Sequence, residues 1–426
     1  MKSTQSFAIT NYIVFKQKML NWVKPFNIFC LLDNQQYHFD TPAFESLLAV
    51  GATANIHVNA GNAFAQLKDF YNEHPGWLFG HLGYDLKNEI EKLSSANFDG
   101  IGFSDLHFFV PKIVLQLNEN QLTIFCEDDA AALFEEIQSC SADISAPIAN
   151  SPVIKNRISR EEYLATIKKI QQQILRGDCY ELNFCQEFYA ENATIDPVSI
   201  YHQLTDLSPN PFSALYQFND KYCLCASPER YLKKTGDLLI SQPIKGTAKR
   251  DLSDKRLDEQ RKTNLLNSNK ERSENVMVVD LVRNDLSKVC LEGTVKVEEL
   301  FGIYSFPQVH QMISTVSGRL QNNTHWVDII KATFPMGSMT GAPKKRVMEL
   351  IEQYEQTKRG LFSGSIGYIN PDGDFDFNVV IRSILYNRST QYISFQTGGA
   401  ITFYSDAEQE YEESLLKAEA IKKVLQ

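Results

Sequence analysis

The sequence predicts an α+β fold. Short runs of β-forming residues lie near both ends of the chain, several in direct succession, and segments with helical periodicity are separate from them. This order differs from the regular strand–helix alternation of a parallel α/β sheet. The 426 residues, of which 43% are hydrophobic, can bury a sizeable core and would fill two or three domains of ~150 residues, or one large one.

The first third of the chain has the pattern of short strands. The runs are residues 12–15, 29–32, 56–58, 114–117 and 122–126, interrupted by a segment rich in glycine and aromatic residues at 76–85. Residues 139–156 are rich in Ser, Ala, Pro and Asn and lack periodicity, which is typical of a linker. We therefore divide the chain into an N-terminal region, 7–140, and a second region, 157–426, and expect them to pack as one compact body.

The second region begins with a clear helix signal. Ser159 and Glu162 fit a capping box, and apolar residues follow at helical spacing, so we expect a helix that ends at Gly177. Further helices are predicted at 274–281 and 406–425. Strands are predicted at 213–218, 221–226, 237–241, 364–369, 377–386 and 392–397.

Charge and cysteine content exclude several classes of function. The net charge of −10, without any basic block, disfavours a nucleic-acid partner or an anionic membrane surface. No run approaches the ~20 apolar residues that span a bilayer, and the N-terminus lacks the apolar core of a signal peptide. Of eight cysteines only Cys223 and Cys225 lie close together, which is not a zinc pattern. We expect reduced cysteines and a cytoplasmic protein.

Two acidic pairs are candidates for a metal site. Glu271 and Glu274 form one pair and Glu410 and Glu413 the other, each with the i,i+3 spacing that places both carboxylates on one helix face. If the pairs face each other they repel unless a hard cation joins them, and Mg²⁺ suits sparse carboxylate ligation. The alternative is two solvated helix faces, which the spacing alone favours.

Two glycine-rich turns are candidates for binding an anion. The first, Gly337 to Pro343, precedes a helical apolar stripe, so its free amides and the helix N-terminus would suit an anion. An ordinary turn and cap is the alternative. The second turn, which contains Gly398 and Gly399, ends a predicted strand and would supply more amides.

Three further side chains have properties that suit catalysis. Lys245 lies between Ile and Gly after a strand, where partial desolvation would lower its pKa and make it nucleophilic; the alternative is a solvated loop lysine. Glu229 follows a strand and would serve as a general acid, or else pair with Arg230 as a turn residue. Arg382, within a β-branched run, needs a partner, which is either a substrate carboxylate or a buried structural salt bridge.

These segments, in this order, resemble the chorismate-utilising enzymes. The segments are GDCYELN, SPER, PIKGT, KERSENVMVVDLVRNDLSKVC, FPMGSMTGAPKKRVMELIE, GSIGYI, IRS and DAEQEYEESLLKAEA, and the N-terminal GWLFGHLGYD resembles the same family. The resemblance implies a layered α/β/β/α sandwich of large, mostly antiparallel sheets, with the active site in a cleft. It also implies that the acidic pairs form a Mg²⁺ site, with Glu274 and Glu413 as the direct ligands.

The resemblance assigns roles in binding chorismate, a dicarboxylate. The metal and the Gly341 region would hold the ring carboxylate, and Arg382 and Tyr368 the enolpyruvyl carboxylate. Glu229 would protonate the departing C4 hydroxyl. The other substrate-binding residues expected from the resemblance are Thr247, Gly398, Gly399 and Lys417.

A few positions indicate the subgroup. Members that add water have a lysine base where this chain has Glu181, and anthranilate synthases usually have alanine where it has Lys245. The P-I-K-G-T segment resembles the aminodeoxychorismate synthases of folate (para-aminobenzoate) biosynthesis, in which the lysine attacks C2 and ammonia then adds at C4. The alternatives are anthranilate synthase component I and, from another class, a non-catalytic regulatory subunit that binds chorismate or tryptophan.

Two residues depart from the family pattern, and the sequence has no motif for releasing ammonia from glutamine. Glu181 stands where the family usually has Gln, so its carboxylate would pair with Lys245 or with ammonium. Gln311 stands where many members have His, and His310 would point to the opposite strand face. No cysteine has the G-x-C-x-G context of an amidotransferase, so we expect a separate glutaminase subunit to supply ammonia. We also expect the product to pass to a separate lyase.

Overall fold

The structure, a computed structural model, describes residues 3–37, 44–144, 151–306 and 309–426. These ranges contain twenty strands and eleven α-helices. The strands, numbered in chain order, are β1 Ser3–Ala8, β2 Ile28–Asp33, β3 Ser46–Val58, β4 Leu78–Leu82, β5 Leu106–Asn118, β6 Gln121–Cys126, β7 Lys155–Asn156, β8 Glu181–Ala190, β9 Phe212–Phe218, β10 Lys221–Ser227, β11 Arg230–Thr235, β12 Leu238–Gln242, β13 Ile244–Lys249, β14 Lys296–Ser305, β15 Val309–Arg319, β16 Gly341–Ala342, β17 Ser365–Ile369, β18 Phe375–Asn378, β19 Ser383–Asn387 and β20 Tyr392–Ile401. The helices are α1 Tyr12–Trp22, α2 Ala63–Glu73, α3 Lys87–Glu91, α4 Ala130–Ser139, α5 Arg160–Leu175, α6 Pro197–Leu207, α7 Lys255–Asn267, α8 Asn269–Ser287, α9 Trp326–Thr333, α10 Lys344–Tyr354 and α11 Ala407–Leu425.

Capping residues mark where the helices begin. The predicted capping box at the start of α5 is present: Ser159 Oγ accepts from the Glu162 N–H, and the Glu162 carboxylate accepts from the Ser159 N–H. Helix α8 is much longer than the predicted 274–281, because Ser268 caps it five residues earlier than expected. The C-terminal helix agrees with the prediction to within one residue.

Two predicted strands were wrong. Residues 12–15 begin helix α1, because the Asn11 side chain accepts a hydrogen bond from the Val14 N–H and good helix formers follow. The predicted strand 377–386 is split into β18 and β19, since Arg382 adopts a left-handed backbone conformation with φ of +50° that ends the extended run. This break directs the chain past the site described below.

The strands form two antiparallel sheets that share β5. One sheet has the order β1-β6-β5-β3-β2-β9-β10-β19-β20-β8, with the short strands β7 and β16 on β8. The other runs β5-β4-β17-β18-β11-β12-β15, and β13 and β14 also pair with β15. Along one edge of β5, residues 106–109 pair with β4 and residues 114–118 pair with β6. The two sheets therefore separate between these two segments of β5.

The two sheets face each other, and helices cover their outer faces. Alternate residues of β10 define the layers: Cys223 and Cys225 belong to the core between the sheets, whereas Tyr222 and Leu224 belong to the core beneath α1, α4, α6 and α11. Helices α2, α8 and α9 pack on the second sheet, and α5 and α10 cover the end of β8. The predicted α+β class and the layered α/β/β/α arrangement are confirmed.

Strands from the N-terminal and second regions pair directly. Strand β2 pairs with β9, and β4, formed by the segment rich in glycine and aromatic residues, pairs with β17. The predicted linker, 139–156, follows α4, and its residues 145–150 lie outside the described residues. None of the helices in the described ranges is both long and apolar enough to cross a membrane.

Candidate active site

One open cavity collects most of the predicted site residues. It encloses about 1030 Å³ of free space, counted with its open, solvent-filled mouth. Its walls come from β8, β13, β20, α8 and α11 and from the break before β19. The predicted residues on these walls are Glu229, Lys245, Thr247, Glu271, Glu274, Arg382, Gly398, Gly399, Glu410, Glu413 and Lys417.

Lys245 is buried in this cavity as half of an ion pair. Its Nζ lies 3.1 Å from Glu181 Oε1, and the side chains are 11% and 4% exposed. Burial by itself would lower the pKa of Lys245, but the charges of Glu181, Glu274 and Glu229 outweigh it, so that the pKa is raised. The expectation of a lowered lysine pKa is therefore wrong for the free enzyme, because the sequence does not reveal these carboxylates around the side chain.

Glu229 is buried beside the lysine. Its backbone is held at the start of β11, where the Val379 N–H donates to the Glu229 carbonyl oxygen. Burial raises the pKa of its carboxyl to about 7, with the charge of Lys245 acting in the opposite direction. Its predicted alternative partner, Arg230, instead forms a bidentate pair with Asp376. A buried carboxyl group with a pKa near neutrality can act as a general acid.

The four glutamates of the acidic pairs lie on two facing helices, α8 and α11. Lys270 bridges them: its Nζ is 3.0 Å from Glu410 Oε1 and 3.9 Å from Glu274 Oε1. Burial raises the pKa of Glu274 to about 8, and its Oε1 has no hydrogen-bond partner in the described structure. Glu413 lies at the mouth, 45% exposed, and pairs with Lys417.

These glutamates are the residues that could hold a divalent cation. The described residues contain no group of three or more His, Cys, Asp or Glu side chains arranged to hold a metal by themselves. Carboxylate oxygens nevertheless suit a hard cation that keeps several water ligands and takes only one or two from protein. Glu274 Oε1 makes no hydrogen bond in the described structure and has only the 3.9 Å ion pair with Lys270, so it has capacity to bind such an ion.

Arg382 lines the same cavity from the break between β18 and β19. Burial lowers the pKa of its guanidinium to about 10, and no charged group offsets this effect. No acidic side chain in the described ranges pairs with it. Of the two partners that the sequence left open, the structural salt bridge is therefore missing from the described part of the chain.

Two predicted substrate-binding residues do not line the cavity. Gly341 belongs to β16, which approaches β8 so closely that a Cβ atom would lie 2.1 Å from the carbonyl oxygen of Glu181. Its φ of +148° and this close approach explain the glycine without any anion. Tyr368 packs in the core between the sheets against Phe79, with ring centroids 5.9 Å apart. Both positions are corrections to the sequence-based assignment.

Several cavity residues were not assigned from the sequence. They are Asn183, Cys185, Lys270, Ser338, Phe362 and Gln396. Phe362 lines the cavity, whereas Tyr368 does not. The Phe362 side chain has no polar group, so no chemical signal in the sequence pointed to it. Lys270 lies directly before an acidic pair, and this adjacency was the one available signal. Gln311 also lines the cavity, while His310 faces away from it and lies 3.0 Å from Asp258, as strand alternation predicted.

The family model of the chorismate binding enzymes matches residues 27–423. The chain belongs to this enzyme family. The identification covers both regions of the chain and accounts for a cavity that combines cationic groups with carboxylates.

Named relatives include both aminodeoxychorismate synthases and anthranilate synthases. Aminodeoxychorismate synthase component 1 of Salmonella typhimurium is 34% identical over 348 residues, covering 81% of this chain and 76% of the relative. Anthranilate synthase component 1 of Aquifex aeolicus is 30% identical over 375 residues, covering 82% and 74%. The crystal structure of anthranilate synthase component I from Streptococcus pneumoniae superposes with a TM-score of 0.77 at 26% identity, over 91% of this chain and 94% of that one.

Proposed function

We propose that this enzyme is the first component of an aminodeoxychorismate synthase. It would replace the C4 hydroxyl of chorismate with an amino group from ammonia, giving 4-amino-4-deoxychorismate for folate biosynthesis. The observation that carries the proposal is the buried Lys245 in a cavity that also holds Glu229. The curated relatives named aminodeoxychorismate synthase component 1 support it, several at 32–35% identity over most of the chain.

In the proposed reaction Arg382 binds one carboxylate of chorismate. The guanidinium fork suits bidentate binding, and the cavity offers it no internal acceptor within the described ranges. The Lys245 amine then attacks C2 while Glu229 protonates the C4 hydroxyl, which leaves as water. Ammonia adds at C4 and expels the lysine amine, so the new amino group is para to the ring carboxylate.

We propose Mg²⁺ as the cofactor, with Glu274 and Glu413 as direct ligands and Glu271 and Glu410 in support. The unpartnered Oε1 of Glu274 and the carboxylate-rich helix faces fit such an ion, with water and a substrate carboxylate completing the ligand set. When bound, the ion would neutralise the ring carboxylate of chorismate. It would also replace the contacts that Lys270 makes between the two helices.

We propose a separate glutamine amidotransferase subunit as the source of ammonia. The word "component" in the names of the relatives supports a second subunit. A cytoplasmic location is part of the same proposal, supported by eight cysteines that are free thiols, seven of them buried.

A product assay tests the proposed reaction. The purified protein is incubated with chorismate, MgCl₂ and an ammonium salt, without any partner, and the products are separated by chromatography with mass detection. We expect aminodeoxychorismate, and we expect Lys245→Ala to lose this product while keeping the fold, because the covalent step needs the amine. Anthranilate from the wild type would overturn the proposal.

Anthranilate synthase component 1 is the second candidate. The similarity to the Aquifex aeolicus enzyme, over much the same share of the chain, favours it. Ortho-amination that persists in Lys245→Ala would select this candidate, because it would show that the lysine takes no part in the chemistry.

A further inference from the structure

Glu181 makes the one direct ion pair of Lys245 within the described residues. Its Oε1 lies 3.1 Å from the lysine Nζ, and only 4% of the glutamate side chain is exposed. The backbone of Glu181 is fixed, since β8 pairs with β16 and the Gly341 Cα packs against the Glu181 carbonyl. The carboxylate is therefore held on the atom that the proposed reaction uses as its nucleophile.

Lys245 must lose a proton before it can attack. Its pKa is raised despite burial, because Glu181, Glu274 and Glu229 face it. The ammonium form therefore predominates near neutral pH, and an ammonium nitrogen has no lone pair to donate.

We propose that Glu181 accepts the proton that Lys245 gives up before attack and returns it when the amine is expelled; this inference rests on the proposed lysine adduct. Glu229 is needed as a proton donor to the leaving hydroxyl. Within the described residues Glu274 pairs with Lys270, at 3.9 Å, whereas Lys245 pairs with Glu181. Burial raises the pKa of Glu181 itself, although Lys245 opposes this, and Glu410 and Lys270 are the other charges that face it. A carboxylate in this environment is suited to holding a proton.

The proton count of the cycle balances. One proton passes from the Lys245 ammonium to Glu181, and the neutral amine forms the N–C2 bond while the C4–O bond breaks. Glu229 supplies the proton that completes the departing water. Ammonia then forms the C4–N bond as the N–C2 bond breaks, and Glu181 returns its proton to the released lysine. Glu229 regains its proton from solvent.

The test follows formation of the covalent adduct in Glu181→Gln. Full-length protein is mixed with chorismate and MgCl₂ without ammonium, quenched at intervals, and analysed by intact-protein mass spectrometry for addition of chorismate less water. We expect Glu181→Gln to form the adduct on the order of 10²-fold more slowly near pH 7, the usual contribution of a positioned base. The ratio of variant to wild-type rates should rise about tenfold per pH unit, because solvent must then deprotonate the lysine.

Two further variants separate proton transfer from structural damage. Glu181→Asp keeps a carboxylate, so its rate ratio to wild type should stay constant with pH even if the rate falls. Glu187→Gln removes another buried carboxylate from β8, one that pairs with Arg157 and does not line the cavity, and should leave adduct formation unchanged.

Three outcomes would overturn the inference. A Glu181→Gln rate equal to or faster than wild type near pH 7 would mean that the carboxylate only restrains the nucleophile. A rate ratio that is constant with pH in Glu181→Gln would mean that the defect is structural. Absence of the adduct in the wild type would instead refute the lysine mechanism, and the inference with it, so that the two failures are distinguishable.

Discussion

Two clusters of charged residues touch strand β8, and they differ in how completely their charges are paired. The Arg359 cluster consists of Arg359, Glu355 and Tyr84. The guanidinium donates to both Glu355 oxygens at 2.6 and 2.9 Å, donates to two backbone carbonyls, and lies 4.6 Å from the Tyr84 ring centroid. The cavity cluster, formed by Lys245, Glu181, Arg382 and the four glutamates, leaves some of its groups open to a ligand.

The two clusters differ in the pairing of their charged groups. Arg359 is 2% exposed and has an acceptor for each of its nitrogen atoms, and Glu355 also accepts from the Cys185 N–H. In the cavity, Glu274 Oε1 has no hydrogen-bond partner and Arg382 no ion-pair partner within the described residues. Buried polar groups are normally satisfied. Although Tyr84 Oη in the Arg359 cluster also has no hydrogen-bond partner in the described structure, the open groups of the cavity are charged and lie where a ligand can reach them. The Arg359 cluster therefore supports β8, while the cavity cluster is available for substrate.

The largest expected effect is a loss of activity on substitution of Glu274, without a loss of stability. Glu274→Gln should reduce turnover of chorismate by at least about 10²–10³-fold, because it removes a charge proposed to bind the cation. Its raised pKa means that ionisation costs the fold stability at pH values above the usual glutamate pKa, so the metal-free variant should be at least as stable as wild type at pH 8. Steady-state kinetics and urea unfolding measure the two effects.

The matched control for Glu274→Gln is Glu408→Gln, which changes a glutamate of α11, the helix that faces α8. Glu408 lies on α11, is 53% exposed, pairs with Arg160 and does not line the cavity. We expect little change in either measurement. Full activity in Glu274→Gln would refute its assignment as a cation ligand.

The next effect concerns the Arg359 cluster and appears in stability. Arg359→Met should lower the free energy of unfolding by about 3–5 kcal/mol, because it leaves Glu355 as a buried charge without its partner. Urea denaturation followed by circular dichroism measures this. Arg319→Met is the control, since Arg319 pairs with Asp237 at the surface with its side chain 57% exposed, and it should cost at most ~1 kcal/mol. Equal losses of unfolding free energy in the two variants would show that the buried Arg359–Glu355 pair matters no more to stability than a surface ion pair.

The sequence identified the cavity cluster better than the Arg359 cluster. Its residues occur in short segments that local reasoning marks as candidates, such as carboxylates at i,i+3 spacing or a lysine between Ile and Gly, and the family resemblance then assigned their roles. Arg359 and Glu355 carry no such signal, because their significance depends on β8, a strand about 170 residues away in the chain. The α+β class followed from the order of strands and helices, whereas the layered arrangement followed from the family resemblance.

The wrong assignments share a physical cause. Gly341 and Gly398 occur in similar glycine-rich segments, but a glycine permits close approach of either a ligand or another strand. At both glycines a Cβ atom would lie 2.1 Å from a carbonyl oxygen of β8, and only Gly398 also lines the cavity, which the three-dimensional structure alone shows. Tyr368 was assigned to the cavity for a related reason: sequence alone does not show which side chains turn toward the cavity and which pack in the core between the sheets. The break at Arg382 likewise depends on a backbone conformation that a β-branched run conceals.

The smallest expected effect sharpens the comparison between the two arginines. Arg382→Met should lower kcat/KM for chorismate roughly 10- to 100-fold, the usual worth of hydrogen bonds to a charged group, while changing the free energy of unfolding little. Methionine is unbranched like the aliphatic part of arginine and would occupy the same left-handed backbone position, so the strain at this position is common to both proteins. Initial rates over a range of chorismate concentrations, with urea unfolding of the same preparations, measure both quantities.

Arg382→Lys and Arg388→Met complete this test. Lysine retains the charge without the planar fork, so Arg382→Lys should fall between wild type and Arg382→Met if the fork binds a carboxylate. Arg388 lies six residues further on, over the ring of Tyr222 and outside the cavity, and its substitution should leave kcat/KM unchanged. A loss of stability in Arg382→Met comparable with that of Arg359→Met would show that Arg382, too, supports the fold. Unpaired burial would then not be sufficient to distinguish a binding residue from a structural one.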